Sequence, residues 1–193
     1  MINISMLDVS AVTGLMAIGV LTGNFLLGML LSTAYKTTRW WKATPGWVRG
    51  ISLAEVHNWT AYLALLLVLL HPVFLVFDKT AGFHLRDILL PAAAPKQPWE
   101  VAMGIISLYL LTVVIITTQR PLRRKLGAGN WKKIHLLSYG TALLVVMHGI
   151  LMDPELKDRG VNWLDGEKLF PEGCGLLMLA ATIARIRYQF QKN

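Results

Sequence analysis

The chain has 193 residues, 54% of them hydrophobic and only 16% charged, with a mean hydropathy of +0.50. Several uncharged stretches reach the roughly 17–25 residues a helix needs to cross a bilayer, which excludes an ordinary soluble domain and indicates a polytopic membrane protein. The formal charge of +8 does not point to nucleic acid, because the basic residues sit in short loops between apolar segments, where they set membrane orientation.

Five spanning helices are predicted, at about 11–34, 51–77, 99–118, 132–152 and 170–188. They form an all-α bundle, with a sixth span as the alternative. The first carries Gly14, Gly19, Gly23 and Gly28, of which Gly19 and Gly23 have the GxxxG spacing that permits close helix approach. The second opens with Glu55 and His57 and closes with His71 and Pro72. Prolines at 91, 95 and 98 predict an extended loop before the third span, which is bounded by Trp99 and by Gln119–Arg120. The fourth carries His135 and His148. The fifth is the weakest, because Glu172 and Arg185 flank its short uncharged run and must snorkel to the interfaces.

Lysine and arginine counts orient the bundle. Residues 1–10 have none, loop 35–50 has four, loop 78–98 has three and loop 119–133 has six. Loop 153–169 has three, outweighed by five acids, and the tail adds Arg185, Arg187 and Lys192. This alternation predicts the N-terminus outside and the C-terminus inside. The first apolar run lacks a basic leader and a small-residue cleavage site, so no cleavable signal peptide is expected. The single cysteine, Cys174, forms no internal disulfide and says nothing of the redox compartment.

The four membrane histidines are the main functional signal. Ionisable residues inside a bilayer are costly and by default mark function. His57 and His71 are 14 positions apart, a helical rise of about 21 Å; His135 and His148 are 13 apart, about 20 Å. Segments two and four run parallel, so His57 and His135 share the inner level and His71 and His148 the outer. A pair at each level supplies two axial ligands for one haem iron; a histidine-lined metal or proton pathway is the alternative. At about 100° per residue, fourteen steps fall about 40° short of four turns, but thirteen fall about 140° short. His135 and His148 are therefore not on one face of an ideal helix. Tilt, tightening near Gly140, or rotation between two haem planes has to absorb the difference.

These two spacings resemble the ferric reductase-like transmembrane domain, whose superfamily includes ferric reductases, NADPH oxidases and six-transmembrane metalloreductases. The run from Gly104-Ile-Ile-Ser107 through Thr118-Gln119 to Arg124-Lys-Leu-Gly127, then Trp131-Lys-Lys-Ile-His135, is similar to the haem subunit of the bacterial periplasmic methionine sulfoxide reductase. The resemblance covers roughly residues 50–152. It implies electron transfer from an inner donor through membrane haems to an outer acceptor, with His57 and His135 ligating the inner haem and His71 and His148 the outer. Two haem b groups are expected, one being the alternative. The chain departs from many relatives in having five apparent spans rather than six, and it reads as a single domain over 1–193 without a fused flavin or nicotinamide domain. FAD or FMN would then come from a partner.

Other residues have two readings each. Arg120, Arg123, Arg124 and Lys125 suit haem propionates or an acidic flavoprotein, but topology alone also explains them. Trp131 and Trp59 would wall a haem or anchor at the interface. Glu55 points away from His57 on a helix. His84, with Asp78 and Asp87, would hold an outer-face metal or simply be solvated, and the acidic loop 153–169 would attract cations. Two functions follow as expectations. One is a bacterial inner-membrane b-haem oxidoreductase that takes electrons from a cytoplasmic flavin reductase or flavoprotein and delivers them to ferric or cupric ions or oxygen outside. The other is a non-enzymatic haem conduit, perhaps quinol-oxidising, for a periplasmic reductase.

Overall fold

A computed structural model describes residues 5–191 except 92, 158, 159 and 161. Among the described residues every regular element is helical: α1 (Met6–Leu31), two short helices α2 (Arg39–Ala43) and α3 (Gly46–Arg49), α4 (Leu53–Phe77), α5 (Pro98–Thr118), α6 (Arg120–His135), α7 (Leu137–Leu151) and α8 (Gly166–Phe190), with 3₁₀ turns at Tyr35–Thr37 and Leu85–Ile88. Five stretches are long and apolar enough to cross a membrane: α1, α4, α5, the joined α6–α7 and α8. The predicted all-α bundle of five spans is what the chain forms.

Local chemistry starts and stops these helices. Ser5 and Asp8 form a capping box at the head of α1. Ser52 accepts from the Glu55 N–H at the head of α4, and Asp165 accepts from Glu167 N–H at that of α8. Pro98 and Pro121 occupy the first turns of α5 and α6, where no amide donor is missed. α6 begins well before the predicted start at 132, and its axis breaks at Gly127, whose φ of 74° suits glycine. The loop between the first two spans contains α2 and α3. α8 also starts earlier than predicted, and Lys168 in its first turn is buried, its Nζ donating to the Met152 carbonyl.

The spans alternate in direction. The Leu7 N–H donates to Asp78 Oδ2 at 3.0 Å, which puts the head of α1 beside the foot of α4. Tyr188 near the foot of α8 accepts from Ala34 N–H at 3.1 Å, beside the foot of α1. Loops 32–52 and 119–133 therefore share one end, here the basic end, and loops 78–97 and 152–165 share the other. α1 packs most extensively on α4, α5 on α7, and α8 closes the bundle against α1 and α7. Ile18, Leu21, Ala64, Leu111, Val145, Cys174 and Met178 form the central core. At Gly149 of α7 an added Cβ would lie 2.6 Å from Ile18 and 3.3 Å from Pro171, so glycine sets the approach of α1, α7 and α8. Gly19 similarly admits Phe170 of α8, whereas Gly23, its GxxxG partner, faces open space. The outer surfaces carry large exposed apolar residues such as Leu66, Leu143 and Leu176, as lipid contact requires.

Candidate functional site

The backbones of α4 and α7 keep apart while α1 and α5 fill the flanks. Across that gap the four histidines meet in two pairs. His57 and His135 face each other at the basic end, with ring centres 6.4 Å apart and planes at 64°. His71 and His148 do so at the opposite end, at 6.1 Å and 75°. The 13-residue step from His135 to His148 has a simple cause. His135 is the last residue of α6, and α7 starts at Leu137, after Leu136, whose N–H reaches back to the Lys132 and Ile134 carbonyls. The two helices meet at that joint, and the His135 ring lies against His57 of α4.

Three of the four rings are seated alike. Nδ1 of His71 lies 2.7 Å from the Ser10 carbonyl, that of His57 3.1 Å from the Asn24 carbonyl, and that of His148 2.8 Å from the Glu100 carbonyl. A carbonyl only accepts, so Nδ1 carries the proton and the lone pair is left on Nε2, the tautomer suited to binding a metal through Nε2. Four residues after each carbonyl comes a glycine: Gly14, Gly28 and Gly104. A Cβ there would come within 3.0 Å of the His71 ring, 3.2 Å of His57 and 3.1 Å of His148. On one helix, residues four apart lie on the same face, so each seat is one turn of backbone supplying an acceptor and a vacancy. The two seats on α1 are 14 residues apart, the same step as His57 to His71 on the antiparallel α4. Three further bonds fix α1 on α4: the Ser10 hydroxyl donates to the His71 carbonyl at 2.8 Å, and Asn24 Nδ2 donates to the His57 carbonyl and Thr60 Oγ1 at 2.5 and 2.8 Å.

His135 differs: its Nδ1 is buried and has no hydrogen-bond partner. The indole of Trp131 lies 5.2 Å away, tilted by 32°, and the Arg123 guanidinium sits 4.1 Å from the indole centre.

A cavity of about 140 Å³ lies beside the His71–His148 pair. Its walls are largely apolar, including Val68, Leu108 and Val145, with Gly14 and Gly104 at the rings and Glu167 and Lys168 also in the lining. The donor set fits haem on three observations: imidazoles held through Nδ1 at three of the four positions, arranged in opposed pairs, with apolar walls beside the His71–His148 pair. Two imidazoles on opposite sides of a metal, each about 2 Å from it, place their ring centres roughly 6 Å apart, in line with both separations. Among the described residues no three His, Cys, Asp or Glu side chains converge on one point, so a four-ligand zinc centre is not assembled there.

The remaining candidates separate. Arg120 and Arg124 are exposed at the basic end, Trp131 packs on His135, and Trp59 is 72% exposed on the outside of α4. Glu55 is exposed in the first turn of α4. His84 caps a 3₁₀ turn with Asp87, whose Oδ2 is 3.4 Å from His84 Nδ1 and 2.8 Å from its amide nitrogen. Those contacts, the His84 amide foremost, hold the Asp87 carboxyl below the ordinary carboxylate range. Asp78 is engaged elsewhere, with Thr80, Ala81 and Leu7. The residues that sequence reasoning missed are the seats: the carbonyls of Ser10, Asn24 and Glu100 with their glycines. The signal was present, since Gly14 and Gly28 repeat the spacing of His57 and His71.

The profile of the family described as ferric reductase like transmembrane component matches residues 13–146. No curated protein and no solved structure matches the chain.

Proposed function

The chain belongs to the ferric reductase like transmembrane component family, and from that premise we propose that it is a b-haem oxidoreductase carrying electrons across the membrane. The observation that carries this reading is the pairing of four imidazoles across α4 and α7, three with Nδ1 anchored on a backbone carbonyl. His57 and His135 would hold one haem b and His71 and His148 a second, each supplying a one-electron ferric–ferrous couple. The chain's own work is to fix the imidazoles, keep the protons of His57, His71 and His148 on Nδ1 and surround the rings with apolar side chains that exclude water. Loop charge supports the basic end as cytoplasmic, in a bacterial inner membrane, so electrons enter near His57 and leave near His71.

The donor in this reading is a flavin, FAD or FMN, carried by a cytoplasmic reductase. A reduced flavin gives up two electrons and two protons on its own side, and two ferric ions on the other side each take one electron. Arg120 and Arg124 would receive propionate carboxylates or an acidic donor surface. The test is a sealed vesicle bearing the haem-loaded protein, with reduced flavin outside at the basic end and a ferric or cupric chelate trapped inside. The trapped metal should be reduced many times faster than in protein-free vesicles. A rate equal to the protein-free one, with haem that the flavin nevertheless reduces, would instead identify a conduit awaiting a periplasmic partner; a protein without a Soret band would refute both.

A further inference from the structure

The three carbonyl–glycine seats follow a repeat that stops one place short. Fourteen residues beyond Glu100 and Gly104 on α5 come Val114 and Thr118, the positions from which a fourth seat would serve His135. Neither serves. The Val114 carbonyl accepts from the Thr118 hydroxyl at 2.8 Å and the Thr117 hydroxyl at 3.1 Å. Thr118 has a side chain where the other seats have none, and its Oγ1 lies 3.4 Å from Trp131 Nε1. Trp131 in turn occupies the face of His135, backed by Arg123. The outcome is the orphaned Nδ1 of His135, in a protein where the other three are bonded.

We infer that His135 is an exchangeable ligand, and that the pair it forms with His57 opens on the His135 side to a small uncharged diatomic molecule. This rests on the haem reading above and divides its two centres. Hydrogen bonds from a metal-bound imidazole's second nitrogen set the ring's orientation and raise its basicity, and losing such a partner costs about 10–100-fold in metal affinity. His135 forgoes that bond while His57, opposite, keeps it. His135 also ends α6 at the Leu136 joint, whereas His57, His71 and His148 lie within continuous helices. An uncharged ligand suits the level, because the ring that packs against His135 is the indole of Trp131.

The experiment uses the full chain, haem-loaded, reduced with dithionite and titrated with carbon monoxide. About half of the Soret absorbance should convert to the carbonyl form, at a concentration about 10–100-fold below any conversion of the rest. In His71→Leu the remaining haem should react fully, and in His57→Leu the remaining haem should be inert. A second measurement, free of the gas, is haem content: His135→Leu should retain haem at the basic end, whereas His57→Leu should lose it. Two haems that are both inert to carbon monoxide, a reactive haem that survives His57→Leu, or a His135→Leu protein as depleted as His57→Leu would overturn the inference while leaving the haem reading intact. A chain that binds no haem would instead remove the reading on which it stands.

Discussion

Gly14→Ala tests the seat directly. The new Cβ would lie 3.0 Å from both Cε1 and Nδ1 of His71. Carbon atoms in comfortable contact are about 3.5–4.0 Å apart, so the ring or α1 must retreat by about 0.5 Å. The Nδ1–carbonyl distance of 2.7 Å would then approach about 3.2 Å, the long end of the hydrogen-bond range. Overpacking of this kind costs about 1–3 kcal/mol, against which the alanine returns about 0.5–1 kcal/mol of helix propensity. Gly23→Ala on the same helix meets nothing within 4 Å and should be neutral or mildly stabilising. The assay is a detergent denaturation titration of both variants, with haem content measured alongside. Gly14→Ala should be the less stable of the two and should lose haem from one site. Equal stability and equal haem in the two variants would refute the seat.

Asn24→Ala removes two bonds between α1 and α4 and, at about 0.6 kcal/mol for each such bond in a membrane, should destabilise the bundle by about 1.2 kcal/mol; the same titration reads it. Asp78 accepts from Thr80, Ala81 and Leu7, and the Thr80 hydroxyl foremost holds its carboxyl below the ordinary value of 3.8. A carboxyl depressed in the folded state adds stability above its unfolded pKa and loses it as pH falls through the folded one. The Tm should therefore be flat near neutrality and drop below about pH 4, and Asp78→Asn should lower the neutral Tm and flatten that drop. Cys174 is 5% exposed in the core, so a maleimide should label it only after unfolding; rapid labelling of the native protein would contradict the packing of α8.

The spans were legible because length and apolar content alone decide whether a segment crosses a bilayer, and each of the five covers most of the stretch where the pattern puts it, the fourth beginning twelve residues earlier, at Arg120. Histidine depth was legible for the same reason, as rise per residue is nearly constant. Facing was not. A helical wheel treats the stretch from His135 to His148 as one ideal helix, whereas His135 ends α6 and α7 begins at Leu137. In the sequence Gly14 and Gly28 look like generic packing residues, because the acceptors they accompany are backbone carbonyls, which every residue has. Lys168 was assigned to a loop, since a buried cation is legible only once its carbonyl partner at Met152 is brought near.

If the two histidine pairs are two separate ligand sets, each holds its own haem and can be lost without the other. The direct measurement is the haem-to-chain ratio by pyridine haemochrome in the wild type and in His57→Leu and His71→Leu. A ratio of two, falling to one in each variant with a low-spin spectrum kept by the haem that remains in His57→Leu, is the predicted result. A wild-type ratio of one, or a single variant that removes all haem, would contradict it.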